Sequence, residues 1–185
     1  MSTEPAAELP AEADIAMVHE PRLTQALRKL ITSSRVAALG TLGENGSPFV
    51  SMVPFAVDHS TSTLVIHVSG LAAHTRNMSQ NAQVSLLIAQ PEVVGEPVHA
   101  LPRVTLEAIA MVLELGTDAW TSARAVYLAR FPDAEPMTQL GDFKFMGIAV
   151  TGARQVAGFG AARSLDAADI ASVLRHQTGA VSGED

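Results

Sequence analysis

The chain has no cysteine. Disulfides, thiolate nucleophiles, cysteine-ligated zinc and iron–sulfur clusters are therefore excluded. Charge is also scarce: 17% of residues are Asp, Glu, Lys or Arg, against about 25% in typical globular chains. Twelve basic residues face nineteen acidic ones, a formal net charge of −7. A general nucleic-acid binder needs a basic surface to displace phosphate counterions, so that class is excluded, although one local phosphate pocket is not. No apolar run reaches the roughly 18 residues of a membrane helix. The longest, Ala108 to Leu115, is broken by Glu114. The first twenty residues hold Glu4, Glu8, Glu12 and Asp14, and no Lys or Arg precedes Arg22. A secretory signal has the opposite pattern. These absences point to a cytoplasmic protein with no nucleic-acid partner and no membrane partner.

What is present is apolar. Of 185 residues, 48% are hydrophobic, and the mean hydropathy is +0.23. Such a chain buries a sizeable core and has apolar surface left for a partner subunit. Residues 1–20, rich in Ala, Glu and Pro, read as a mobile tail, and 177–185 as a second one. Between them, 21–176 reads as a single domain.

Leu23, Ala26, Leu27, Leu30 and Ile31 fall on one helical face, predicting a helix over 22–33. Strands are expected at 35–42, 48–57, 63–68 and 83–89. Asn45-Gly46 between the first two is a strong hairpin signal and suggests a type I′ turn. A short helix is expected at 71–80. After a proline-rich loop come a strand at 103–115, a helix at 118–130, strands at 143–150 and 153–158, and a helix from about Asp166. Thr117 or Asp118 can cap the 118–130 helix, and Pro132 stops it. Trp120, Tyr127 and Phe131 form a stripe on it and read as core or subunit interface. The early strands are joined by tight turns and must pair antiparallel. The class is α+β, mainly β: an antiparallel barrel with flanking helices.

The chemistry concentrates in Ser69-Gly70-Leu71-Ala72-Ala73-His74-Thr75-Arg76-Asn77-Met78. This stretch leaves a strand and opens a helix. Free N–H groups at a helix start, together with the helix dipole, favour an anion. Ser69 is a natural cap, and Gly70 permits close backbone approach. Leu71, Thr75 and Met78 share a face expected to pack inward, with His74 and Arg76 on its flanks. The same stretch also reads as an ordinary capped helix with solvated polar residues.

Six motifs in order carry a resemblance. They begin with Pro48-Phe-Val-Ser51-Met-Val-Pro54-Phe55, the Ser69–Met78 stretch and Asn81-Ala-Gln-Val-Ser85. They continue with Pro102-Arg-Val-Thr-Leu-Glu107 and Tyr127-Leu-Ala-Arg130-Phe131-Pro132, and end in the pairing of Gly141-Asp142-Phe143 with Gly158-Phe159-Gly160. Over about residues 22–165 the chain resembles the flavin-binding split-barrel superfamily of pyridoxamine 5′-phosphate oxidase, and most of all its haem-utilisation branch. The resemblance implies a six-stranded antiparallel split β-barrel that forms a homodimer, binds FMN between subunits and acts on a small molecule as an oxidoreductase. Carried over, Ser51, Ser69, His74, Thr75 and Arg76 become phosphate or ribityl contacts, with Asn77 beside them. Met52, Val53 and Pro54 offer surface to the flavin ring. The oxidase pattern has Arg at Ser51 and Ser-Arg-Lys at Ala72-Ala73-His74, so fewer permanent positive charges face the phosphate here. The haem branch implies haem as the alternative ligand, with a C-terminal histidine on the iron. His176 is the one available, and it equally reads as a solvated histidine at a helix end. That branch has Tyr-Arg where Met146-Gly147 stands. A dimer that keeps the barrel and has lost its cofactor is the third reading.

The other histidines carry less. His19 falls in the tail, His59 in a turn, and His99 in the proline-rich loop. His67 alternates with Leu64, Ile66 and Val68, and so is expected to face outward. No pair has zinc-ligand spacing, and no metal site is expected. No catalytic acid or base stands out.

Overall fold

The computed structural model describes residues 21–175. The expected tails at 1–20 and 177–185, and His176, lie outside the described residues. Four helices and seven strands follow in the order α1 (Arg22–Ser33), β1 (Val36–Leu42), β2 (Pro48–Asp58), β3 (Thr63–Ser69), α2 (Ala73–Gln80), β4 (Gln83–Ala89), β5 (Arg103–Val112), α3 (Asp118–Arg130), β6 (Phe143–Val156), β7 (Ala162–Asp166) and α4 (Ala167–Arg175). All pairings are antiparallel, in the order β3-β2-β1-β4-β5-β6-β7, and β3 also pairs with β6. That last pairing closes the expected six-stranded split barrel.

β6 makes the closure possible because it is long. One edge pairs with β5 from Met146 to Val156. The other pairs with β3 from Phe143 to Ile148, and with β7 from Gly152 to Val156. The two strands expected here are one strand with a bulge. Glu107 pairs with Gly152 and Ala108 with Val150, which leaves Thr151 as the extra residue. Its hydroxyl bonds the Glu107 carbonyl at 3.1 Å. Such a bulge bends a strand without ending it. β7 carries no apolar alternation strong enough to mark it, and its five residues pair along one edge only.

The β1–β2 turn also differs from expectation. Only Gly46 has positive φ (77°), and the Gly46 amide bonds Gly43 O at 2.8 Å, while the Gly43 amide bonds Ser47 O at 2.9 Å. This is a three-residue loop, a type I turn closed by a glycine bulge, rather than the type I′ turn. The Asn45 side chain accepts from the Ser47 amide at 3.1 Å and so favours the turn.

Alternation along the strands fills the barrel with Leu39, Phe55, Leu64, Ile66, Leu86, Ile88, Leu106 and Ile148, all fully buried. α1 and α4 close one side through Leu27, Ile31, Ile170 and Val173. They are tied by the Arg28 guanidinium, which donates to Val173 O at 3.2 Å. A second apolar layer lies outside the wall. Ala56, Val65 and Phe145 point away from the barrel and pack under Ala123, Tyr127 and Phe131 of α3 and its end. The helical stripe is thus core. Thr117 caps α3, accepting from the Trp120 amide at 3.2 Å.

His67 faces outward as expected, but outward here means into this layer. It is 8% exposed and sits 4.4 Å from the Phe145 ring and 5.0 Å from Phe143, centroid to centroid. Burial pushes its pKa from 6.5 down to about 4. The folded state therefore disfavours the imidazolium. The contribution of neutral His67 is complete above pH 6.5 and is lost as pH falls from there to about 4. At the lower limit the loss reaches about 3 kcal/mol. Chemical denaturation across that window should show it, and His67→Phe should flatten that part of the profile.

Candidate functional site

The closure that joins β3 to β6 also builds the entrance to α2. Ser69 pairs with Phe143. One step on, the Gly70 amide donates to Asp142 O at 2.6 Å. A Cβ at Gly70 would stand 2.9 Å from that oxygen, so glycine is required by close approach. The Ser69 hydroxyl donates to Asp142 Oδ2 at 3.0 Å and accepts from the Leu71 amide at 3.2 Å. Ser69 is therefore a clasp between strand and loop, not the helix cap. α2 starts four residues later, at Ala73, and the capping position is Ala72, which has no side chain to offer. Leu71 precedes the helix and is 78% exposed, whereas Thr75 and Met78 pack inward.

An uncapped start leaves donors free. The amides of Ala73, His74 and Thr75 have no acceptor among the described residues. Beside them, Ser51 of β2 and His74 share a hydrogen bond of 3.0 Å between Oγ and Nδ1. Partial burial lowers the His74 pKa, so the ring is neutral at physiological pH and adds no permanent charge. The Arg76 guanidinium donates to Leu71 O at 2.6 Å and is the one permanent cation of the stretch. Asp142 places a carboxylate next to Ser69. The site combines three backbone donors, one hydroxyl, one neutral imidazole, one guanidinium and one nearby carboxylate. It suits a single negative charge better than a doubly charged one.

Of the sequence-derived residues, Ser51 and His74 meet directly, and Thr75 ties Ser69 by donating to its carbonyl at 2.7 Å. Asn77 turns to the barrel and donates to Thr41 Oγ1 at 2.9 Å, which anchors α2 to β1. Val53 is 2% exposed and points into the barrel, so only its backbone is left to offer a ligand. Met52 and Pro54 lie on the outer face. There Met52, Ala38 and Leu87 form one cross-strand row, and Val36 pairs with Pro54. Val36, Val50, Met52 and Leu87 are between 42% and 66% exposed. They make an apolar patch on the outer face of β1, β2 and β4. Sequence reasoning missed Asp142 as the partner of Ser69, since nothing local links positions 73 residues apart. Among the described residues, no three His, Asp or Glu side chains gather to hold a metal ion, and no helix is long and apolar enough to cross a membrane.

At the other end of β2, His59 Nδ1 contacts Leu174 O at 2.5 Å. α4 therefore ends beside the β2–β3 turn. Eight residues of extended strand, roughly 25 Å, separate His59 from Ser51.

The chain resembles known proteins along most of its length. Residues 23–157 match the family described as pyridoxamine 5′-phosphate oxidase. Heme oxygenase HutZ of Vibrio cholerae is 27% identical over 159 residues, covering 85% of this chain and 89% of that protein. A heme-binding protein from Mycobacterium smegmatis superposes with a TM-score of 0.74 at 29% identity; this chain spans 62% of its length, and 84% of this chain is covered. A structure of HutZ, described as a heme storage protein, superposes with a TM-score of 0.64 at 26% identity, covering 69% of this chain and 89% of that one. Closed barrel, matched segment and relatives agree: the chain belongs to the pyridoxamine 5′-phosphate oxidase family of split-barrel proteins, in its haem-utilisation branch.

Proposed function

We propose that this protein binds haem, and that it does so between two copies of the chain. The observation that carries the reading is the near full-length similarity to heme oxygenase HutZ. Two features of the surface support it. Haem is flat and apolar with carboxylates on one edge. The outer-face patch of Val36, Val50, Met52 and Leu87 offers apolar area, and the uncapped α2 start offers donors for a carboxylate. When bound, haem supplies a redox-active iron whose behaviour is set by its ligand and surroundings.

His176 is the proposed iron ligand. Leu174, two residues before it, is held by His59, at the opposite end of β2 from Ser51. One haem that takes its iron ligand near α4 and its carboxylate contact at α2 therefore draws them from different protomers. The exposed apolar patch is proposed to serve both roles, with the haem lying within the contact between the two chains.

FMN is the second reading, carried by the family match. The Ser51–His74 pair and the free α2 amides fit a phosphate in kind. The charge balance favours it less, because a phosphate brings close to two negative charges and meets one guanidinium with a carboxylate nearby.

Titration of the purified protein with haemin and, separately, with FMN tests the assignment. The expected outcome is a saturable haem Soret band, and a His176→Ala variant weakened at least about tenfold. Saturable flavin quenching without a haem spectrum would move the function to flavin chemistry. For the dimer, Leu87→Asp should convert a dimer to a monomer by light scattering at micromolar concentration. A monomeric parent protein would contradict the two-chain site.

His74 adds a pH dependence. An anion beside the ring raises its depressed pKa, so the ring's contribution is present at low pH and lost as pH rises through the bound-state value. His74→Ala should therefore cost more ligand affinity at about pH 5.5 than at about pH 8. An unchanged slope in the variant would remove His74 from the site.

A further inference from the structure

We propose that a second site, for a small uncharged planar heteroaromatic molecule, lies under the start of α3 with His67 at its floor. A cavity of about 410 Å³ opens there, on the outer side of β3 and β6. That volume is within the range of small-molecule sites and accommodates two or three fused rings. It goes beyond the haem reading and does not rest on it. The Ser69–Asp142 and Gly70–Asp142 bonds form a seam between this cavity and the α2 start.

Three observations set the ligand class. The first is the walls. His67, Phe143, Phe145 and Trp120 line the cavity, with the Trp120 ring edge-on to Phe145 at 5.8 Å and 80°. Offset and edge-to-face packing against such rings selects a flat partner. The second is His67. It is more than nine-tenths buried, yet among the described residues neither ring nitrogen has a hydrogen-bond partner. Both nitrogens keep some solvent access, so a ligand that brings one donor or acceptor takes the place of water there. Its low pKa keeps the ring neutral, able to donate at one nitrogen and accept at the other. The third is charge. Glu114 and Lys144 both line the cavity, so their opposite signs favour neither an anion nor a cation, and the fitting ligand is uncharged.

The chain has one tryptophan, Trp120, so its fluorescence reports this cavity directly. Quinolin-4-one, flat and with one N–H and one carbonyl, is the probe. Titrated into the ligand-free protein, it should change Trp120 emission saturably, and calorimetry should give one molecule per chain. His67→Phe keeps an aromatic ring in the layer and removes the polar atoms. It should weaken binding about tenfold or more, while its melting curve shows that it folds. Phe143→Leu should weaken binding as well. The proposal is overturned if no saturable change occurs up to millimolar probe. It is also overturned if His67→Phe binds as tightly as the parent. Loss of binding in a Ser51→Ala/His74→Ala variant would place the probe at the α2 start instead, and would likewise overturn it. The haem titration is read independently at its Soret band, so failure of either idea leaves the other testable.

Discussion

Everything described here hangs on the pairing of β3 with β6. Without it the sheet is an open curl with two unpaired edges. With it, six strands enclose one core, and two further structures appear at the seam. Where β3 runs out at Ser69, the pairing with Phe143 brings Asp142 against Gly70 and fixes the entrance to α2. On the outer face of the same two strands, His67 comes beside Phe145 and the aromatic cavity forms. One ladder thus positions an anion-ready helix start and an aromatic pocket on either side of one seam. The bulge at Thr151 lets β6 pair with β3 through its first half and with β7 through its second.

Aromatic residues are few, and their placement follows from that geometry. Five of the eight Phe, Tyr and Trp residues (Trp120, Tyr127, Phe131, Phe143 and Phe145) sit in the layer between the barrel wall and α3 or line its edge. Inside the barrel, Leu, Ile and Val do most of the filling, and Phe55 is the one aromatic side chain. Branched aliphatic side chains suit a narrow closed barrel because both walls must interdigitate. The outer layer is covered by α3 and the short 3-10 helix Pro132–Gln139, so its packing can stay incomplete. The cavity beside His67 is where it stays so.

Most of the fold was legible because the chain signals it locally. The β4 alternation from Gln83 to Ala89, the spacing of Leu27, Leu30 and Ile31, and the Thr117 cap each act within a few residues. What escaped is non-local. β7 is a strand because Gly152–Val156 lies beside it, not because Ala162–Asp166 is strongly strand-like. Ser69 looked like a cap, and is drawn off by a carboxylate far along the chain. His67 alternated correctly with its neighbours, but alternation gives a face and not what covers it. Ser51 and His74, both singled out by the motif order, touch because α2 folds back on the start of β2.

The charge of the α2 start is its most discriminating property. A helix start of this kind attracts any anion, so the amides alone choose nothing. Choice comes from what surrounds them. A histidine held neutral by burial, one arginine partly engaged by a carbonyl, and an aspartate on the adjoining loop leave the site close to balanced. A doubly charged phosphate would meet too little positive charge there. One of haem's two carboxylates, docked there alone, meets about what it brings, and the outer-face patch adds apolar area for a flat body. The same substitutions that take the site away from phosphate thus bring it towards an amphipathic ring system with carboxylate edges. The local chemistry is thus consistent with the proposed haem reading that the relatives carry.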